Sequence, residues 1–287
     1  MIMDASFADI DDIRLRYVRD GDGSPVVLLH GWPNNLSQWS DVIPPLSAKH
    51  TVVAPDLRGF GGSSRSDLGY HKRDLANDIW RLMTEVLHFE RFSVVGHSWG
   101  AVVGYFLAAD HPESVSSVTF LGVAPPYKGN EYHAWWHLFH EVPHLPAALV
   151  EGREDLYFGW FFRNFAHPDF EVSDELLEEY LRPLREPGAA AAAIAYYDHL
   201  ESETAEVTAL SRAQQLPMPV LAVQQSGPLR WRADSETSVN KVAELLAPLA
   251  LDIEGALLPK TGYLIPEERP VELAELLIDF YSRRVPR

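Results

Sequence analysis

Phe92-Ser-Val-Val-Gly-His-Ser-Trp-Gly-Ala-Val-Val-Gly-Tyr-Phe-Leu-Ala-Ala109 is the stretch on which the fold turns. Its first five residues form a β-branched, apolar run of strand length. After Gly100 the sequence AVVGYFLAA is apolar on nearly every side, the pattern of a buried helix. Between them, Gly96-His97-Ser98-Trp99-Gly100 fits G-x-S-x-G. The two glycines permit a strained strand-to-helix turn that lifts the serine hydroxyl above a sheet, over a helix N-terminus that favours negative charge. A chance match on a glycine-bounded turn competes with this reading. The strand before and the helix after supply the context that the motif needs.

Outward from this centre the chain alternates strand and helix. Arg14–Asp20 and Val26–His30 read as strands around the turn Gly21-Asp22-Gly23-Ser24-Pro25, followed by Thr51–Pro55 and, beyond the elbow, Val115–Leu121. Leu75–Leu87 carries Leu75, Ile79, Leu82, Met83 and Val86 at helical spacing. Such alternation implies an α/β fold, a mainly parallel sheet with helices on both faces. From about Pro125 to Leu210 the buried-strand signal vanishes. Helices are expected there at Trp135–His140, Glu154–Phe162, Asp174–Leu181 and Ala189–Leu200, the alanine run 189–193 being strong helix former. Strands return at Pro219–Val223 and Ile253–Leu258, with helices near Ser238–Leu246 and Val271–Tyr281. The expected organisation is a core of residues 1–124 and 211–287 with a helical insertion, a cap, over 125–210.

Composition narrows the partners. Acidic residues outnumber basic ones by 41 to 24, a formal charge of −17, which opposes nucleic acid and anionic membrane surfaces. There is no cysteine, which removes disulfides, thiol catalysis and cysteine-bound zinc. The N-terminal MIMDASFADIDD lacks the basic and apolar blocks of a signal peptide, and no apolar run reaches membrane-spanning length. A cytoplasmic, soluble protein is expected, with a small hydrophobic substrate as its partner; a homodimer is left open. No dinucleotide fingerprint or metal motif is present, so no cofactor is expected. The glycine-rich Asp56-Leu-Arg-Gly-Phe-Gly-Gly-Ser63 lacks phosphate-loop spacing and reads as a structural turn.

HGWP at 30–33, APDLRGFGGSS at 54–64, VVGHSWGA at 94–101, HPE at 111–113 and IPEERP at 265–270 resemble the epoxide hydrolase and haloalkanoate dehalogenase branch of the α/β-hydrolases. The resemblance continues through FHEVPHLPAALVEGRE, WFFRNFA, EYLRPLREPGA and YYDHL, and so covers most of the chain. It implies an α/β-hydrolase fold, an eight-stranded core under a helical cap, with the site between them. His30-Gly31-Trp32-Pro33 would then supply the backbone N–H of Trp32, joining that of Trp99 in an oxyanion hole; His30 is counted among the substrate-binding candidates. The resemblance also places Trp135 and Trp136 near the start of the cap, and Tyr197 or its neighbour Tyr196 from a later helix, over the nucleophile. At helical spacing these aromatics also suit an ordinary core.

The chain departs from that branch at its chemistry. Where the resemblance implies an aspartate nucleophile, in GHDWG, this sequence has Ser98. Where it implies a histidine, in GHWLPEERP, Thr261-Gly262-Tyr263-Leu264-Ile265-Pro266-Glu267-Glu268-Arg269-Pro270 puts Tyr263. No carboxylate stands in Leu121–Pro126 or Gln224–Leu229, where the supporting acid belongs, and Asp234 is offset. A serine without a base is a poor nucleophile. His133, His137, His140 and His144 offer a replacement base within the cap, or a metal-binding face, or only polar helix positions; the resemblance turns His97 away from the nucleophile.

Ser98, Tyr263 and Tyr197 are thus the catalytic candidates. Three functions follow. A non-hydrolytic cyclase, lyase or isomerase would act on a hydrophobic, aromatic or polycyclic secondary metabolite by positioning and hydrogen bonding, and this reading is placed first. A serine hydrolase with a relocated base is the alternative, and a ligand-binding pseudoenzyme the third.

Overall fold

The computed structural model describes residues 4–66 and 69–285. Eight strands, β1 (Ala5–Ile10), β2 (Ile13–Asp20), β3 (Ser24–Leu29), β4 (His50–Pro55), β5 (Phe92–His97), β6 (Val115–Leu121), β7 (Val220–Gln225) and β8 (Ile253–Leu258), form one sheet. Their order is β1-β2-β4-β3-β5-β6-β7-β8. Pairing is antiparallel for β1 with β2 and β2 with β4, and parallel from β4 through β8. This is the eight-stranded, mostly parallel α/β sheet that the resemblance implies.

Side-chain alternation explains why the central strands read as unbroken apolar runs. Val27, Leu29, Val94, Val118 and Val220 face one core, while Val26, Leu28, Val95, Leu121 and Leu221 face the other. Both sheet faces are therefore covered, as a parallel sheet requires. Helices α1 (Ile43–Ser47), α2 (Lys72–Arg81) and α3 (Trp99–Asp110) lie between strands in the first half. The helix expected over Leu75–Leu87 ends as a π-helical turn at Leu82–Val86, whose C-cap Leu87 N–H reaches back five residues to the Leu82 carbonyl.

Between β6 and β7 the chain is helical: α4 (Trp135–His140), α5 (Leu145–Val150), α6 (Glu154–Phe165), α7 (Asp174–Leu184), α8 (Ala189–Ala195) and α9 (Leu200–Ala213). The single helix expected over Ala189–Leu200 is two, because Tyr196–His199 leave the helical path and place two tyrosines on different sides. After β7 follow α10 (Lys241–Leu246), α11 (Ile265–Glu268) and α12 (Pro270–Arg284). The helical segment is fastened to the sheet side by polar bonds. Trp32 Nε1 donates to the Ala193 carbonyl at 2.8 Å, and Tyr196 Oη donates to the Arg58 carbonyl at 2.6 Å. Lys72, wholly buried on α2, pairs with Glu203 of α9 at 3.2 Å. No described helix is long and apolar enough to cross a membrane.

Candidate active site

Register brings the carboxyl ends of β3, β5, β6 and β7 side by side: Leu29 pairs with Gly96, His97 with Leu121, and Leu121 with Val223. In an open α/β sheet this is where ligands bind. Ser98 follows directly, at φ 54° and ψ −124°, as the N-cap of α3. A positive φ on a residue with a Cβ costs on the order of 1 kcal/mol, and such strain concentrates at functional sites. The turn fits only because the backbones nearly touch. A Cβ on Gly100 would lie 2.3 Å from the Leu29 carbonyl oxygen, and one on Gly31 would lie 2.8 Å from Ser98 Cβ.

Above Ser98 is a cavity of about 320 Å³. Ser98, Tyr263, Tyr197, Trp32, Trp99 and Trp136 all line it. Burial pushes the Tyr263 phenol up to about 12, with Ser98 beside it opposing the rise, so it stays protonated at neutral pH. Tyr197 meets the Trp99 ring edge-on at 5.3 Å, and burial holds its phenol well above the ordinary range. The Trp32 ring meets His140, Phe158, Phe161 and Tyr197 edge-on, which fixes the wall opposite the elbow. The Trp32–Pro33 peptide bond is cis.

Three sequence candidates lie elsewhere. His30 is fully buried below the loop, where Nε2 accepts from the Leu57 amide at 2.9 Å and Nδ1 donates to the Gly31 carbonyl. Its role is to brace the HGWP turn. Tyr196 points to Arg58, Phe60 and Tyr70, away from the cavity. Trp135 is 46% exposed and stacks on the outer side of Phe161, along a separate apolar groove that also holds Leu149, Leu156 and Trp160. Asp234 is an exposed partner of Arg232 at 3.2 Å and is not part of the cavity wall.

The four histidines do not share one face. His133 precedes α4 and His144 follows it. His140 is buried, its Nε2 bonded to Tyr157 Oη at 2.5 Å. His137 lines the cavity, and its Nδ1 is buried with no hydrogen-bond partner among the described residues. Spacing could not single out His137, because only tertiary packing decides which turn of α4 looks inward. Tyr132, Gln225 and Trp231 also line the cavity, though no sequence pattern marks them; Gln225 Oε1 is buried and without a partner among the described residues. His97 does reach the cavity, yet both ring nitrogens are engaged. Gln38 Nε2 donates to Nδ1 at 3.1 Å, and Nε2 donates to the Tyr263 carbonyl at 2.9 Å.

Burial keeps these imidazoles neutral: His30, His97 and His137 are pushed down to about 4 and His140 to about 3. In the unfolded chain each returns to about 6.5. As pH falls from 6.5 towards 4, the unfolded state binds protons that the fold refuses, so stability is lost across that window. Chemical denaturation at pH 7.5 and pH 4.5 is expected to differ by several kcal/mol. A denaturation midpoint unchanged at pH 4.5 would show that these rings are not buried neutral.

The family pattern described as alpha/beta hydrolase fold matches residues 24–236. The chain is 30% identical to the soluble epoxide hydrolase of Corynebacterium sp. (strain C12), with 96% of each chain covered. It is 31% identical to the fluoroacetate dehalogenase of Burkholderia sp., covering 96% of this chain and 92% of that one. The crystal structure of wild-type Cfl2 from Burkholderia cenocepacia superposes with a TM-score of 0.85 at 34% identity, over 96% of this chain and 95% of that chain.

Proposed function

Because the chain belongs to the α/β-hydrolase fold family, we propose that it is a serine hydrolase that cleaves esters of compact, hydrophobic acids, with Ser98 as nucleophile and His137 as the relocated base. The observation that carries this reading is Ser98, held at positive φ at the head of α3, facing one cavity with a neutral imidazole whose Nδ1 is unengaged among the described residues. Two of the relatives named above, the epoxide hydrolase and the dehalogenase, carry names of hydrolytic enzymes, which favours hydrolysis over cyclisation or elimination.

A serine directs the chemistry towards acyl groups. Opening an epoxide on Ser98 would leave an ether, which has no carbonyl for water to attack, so the enzyme could not be regenerated. With an ester, Ser98 Oγ adds to the acyl carbon and its proton passes to His137. The backbone N–H of Trp99, first in α3 and without an intrahelical partner, joins that of Trp32 on the developing oxyanion. The alcohol leaves with the proton from His137. Water then adds to the acyl-serine, giving its proton to the same imidazole, and the acid departs as Ser98 recovers a proton. In this reading Tyr263 stands where the related enzymes of the resemblance carry histidine, and orients Ser98 rather than deprotonating it. Tyr197 contributes a hydrogen bond to the substrate, and residues 125–210 serve as the cap over a core of 1–124 and 211–287. A cavity of 320 Å³ lies near the lower end of the usual range, about 300–1,000 Å³, and suits a single-ring acid better than a polycyclic one.

The base is tested by His137→Phe. Its hydrolysis of a 4-nitrophenyl ester of a benzoic acid is expected to fall by about 10²–10³-fold in kcat, with KM within a few-fold. No limb of the profile near neutrality should be lost in His137→Phe, since burial holds His137 near 4. A fall in kcat of less than about threefold would remove His137 from the mechanism. One observation favours a second reading, a non-hydrolytic enzyme working by hydrogen bonds alone: the group beside Ser98 in the cavity is a protonated phenol. Products of equal mass to the substrate would mark that activity.

A further inference from the structure

Glu267 sits on the short helix α11, four residues past Tyr263, and receives hydrogen bonds from three different parts of the chain. Asn34 Nδ2, in the turn after β3, donates to Oε1 at 3.0 Å. Gln38 Nε2, in the 3-10 turn Leu36–Trp39, donates to it at 3.2 Å. Tyr180 Oη, from α7 in the helical segment, donates to it at 2.8 Å. Gln38 is itself fully engaged: its carbonyl oxygen accepts from the Gly31 amide at 2.9 Å, and its amide also donates to His97 Nδ1. The opposite nitrogen of His97 holds the Tyr263 carbonyl. The polar chain therefore runs from α7 through Glu267, Gln38 and His97 to the backbone of Tyr263, which lines the cavity with Ser98.

We propose that Glu267 is a positioning residue that couples the seating of the helical segment, through Tyr180, to the placement of Tyr263 against Ser98. The inference rests on Ser98 being the reacting group. Each side chain that meets this carboxylate is a donor, so its ionised form satisfies all of them. Among the described residues Oε2 meets only Gln38 Nε2, at 3.4 Å, so a proton on that oxygen faces a donor and displaces the Gln38 amide. Burial raises the Glu267 carboxyl to about 7, which places the transition in the neutral range. The ionisable groups around it are Tyr180 from α7, His97 behind Gln38, and Glu268 beside it on α11, with Asp41 near Tyr180. Tyr180 is raised well above the ordinary phenol range and His97 is lowered to about 4, so neither titrates near 7. Ionised Glu267 is the competent form, and reactivity at Ser98 rises with pH through that value.

The test follows the rate of Ser98 modification by a fluorophosphonate from pH 5.5 to 8.5, alongside tryptophan emission of the unliganded protein. Trp32, Trp99, Trp136 and Trp231 line the cavity and report its state. The wild-type rate, corrected for reagent hydrolysis, is expected to rise about tenfold between pH 6 and 8, with a midpoint near 7. Glu267→Gln should abolish that limb while remaining folded. Tyr180→Phe should move the midpoint upward, because the carboxylate loses a donor. A limb that persists unchanged in both variants overturns the proposal, since a purely structural contact would alter stability but not the pH profile. If the wild type is unlabelled at every pH, the serine-hydrolase reading fails by itself. Tryptophan emission then decides: a midpoint near 7 that is lost in Glu267→Gln upholds the coupling, and its absence overturns it.

Discussion

Ser98→Ala is expected to reduce hydrolysis of an aryl ester by about 10⁴-fold in kcat/KM, leaving the fold intact. Removing a nucleophile that acts as a unit with its base abolishes nearly all of the covalent pathway, and the residual rate comes from binding and the oxyanion donors. Alanine keeps the Cβ that already packs 2.8 Å from where a Gly31 Cβ would sit, and it adds nothing at the crowded elbow. Thermal unfolding should therefore change little, and the kinetic loss can be assigned to chemistry. A loss below about tenfold would mean that turnover does not pass through Ser98.

Lys72→Met is the second large effect, and it acts on stability. Lys72 Nζ pairs with Glu203 Oε2 at 3.2 Å, with both side chains wholly buried, and donates to the Tyr196 carbonyl. Glu203 Oε1 accepts from the Lys72 backbone amide at 2.9 Å, capping α2 from α9. Lys72 Nζ also lies 4.1 Å from the centre of the Trp99 ring. Burial lowers the lysine, and Glu203 opposes that shift. Breaking such a pair strands one charge in a low-dielectric interior, at a cost of about 3–5 kcal/mol. Urea denaturation of Lys72→Met should show that loss, and Lys72→Met/Glu203→Leu should recover most of it. A single variant within about 1 kcal/mol of wild type would show that the pair is hydrated or unpaired in solution.

The centre of the fold was readable because both faces of β3, β5, β6 and β7 are covered, so those strands appear as uninterrupted apolar runs. β1 was not readable. It is an edge strand with only Ala8 and Ile10 buried, and antiparallel pairing to β2 supplies the order that its sequence does not advertise. α1 has no sequence signature, since Pro44 and Pro45 break an apolar pattern yet occupy the first turn, where a missing N–H is harmless. Neighbouring aromatics show where pattern reading stops. Trp135 and Trp136 differ by 100° around one helix, so one lines the cavity and the other the outer groove. Tyr196 and Tyr197 part in the same way at the break between α8 and α9. Glu267 could not be singled out at all, since its character comes from three donors distant in sequence.

Activation of Ser98 is read from the intact mass of the protein after exposure to a fluorophosphonate, with Ser98→Ala alongside. One adduct is expected on the wild type and none on the variant, which would establish Ser98 as an activated nucleophile. A folded wild-type protein that acquires no adduct, or one whose adduct survives in Ser98→Ala, would contradict it.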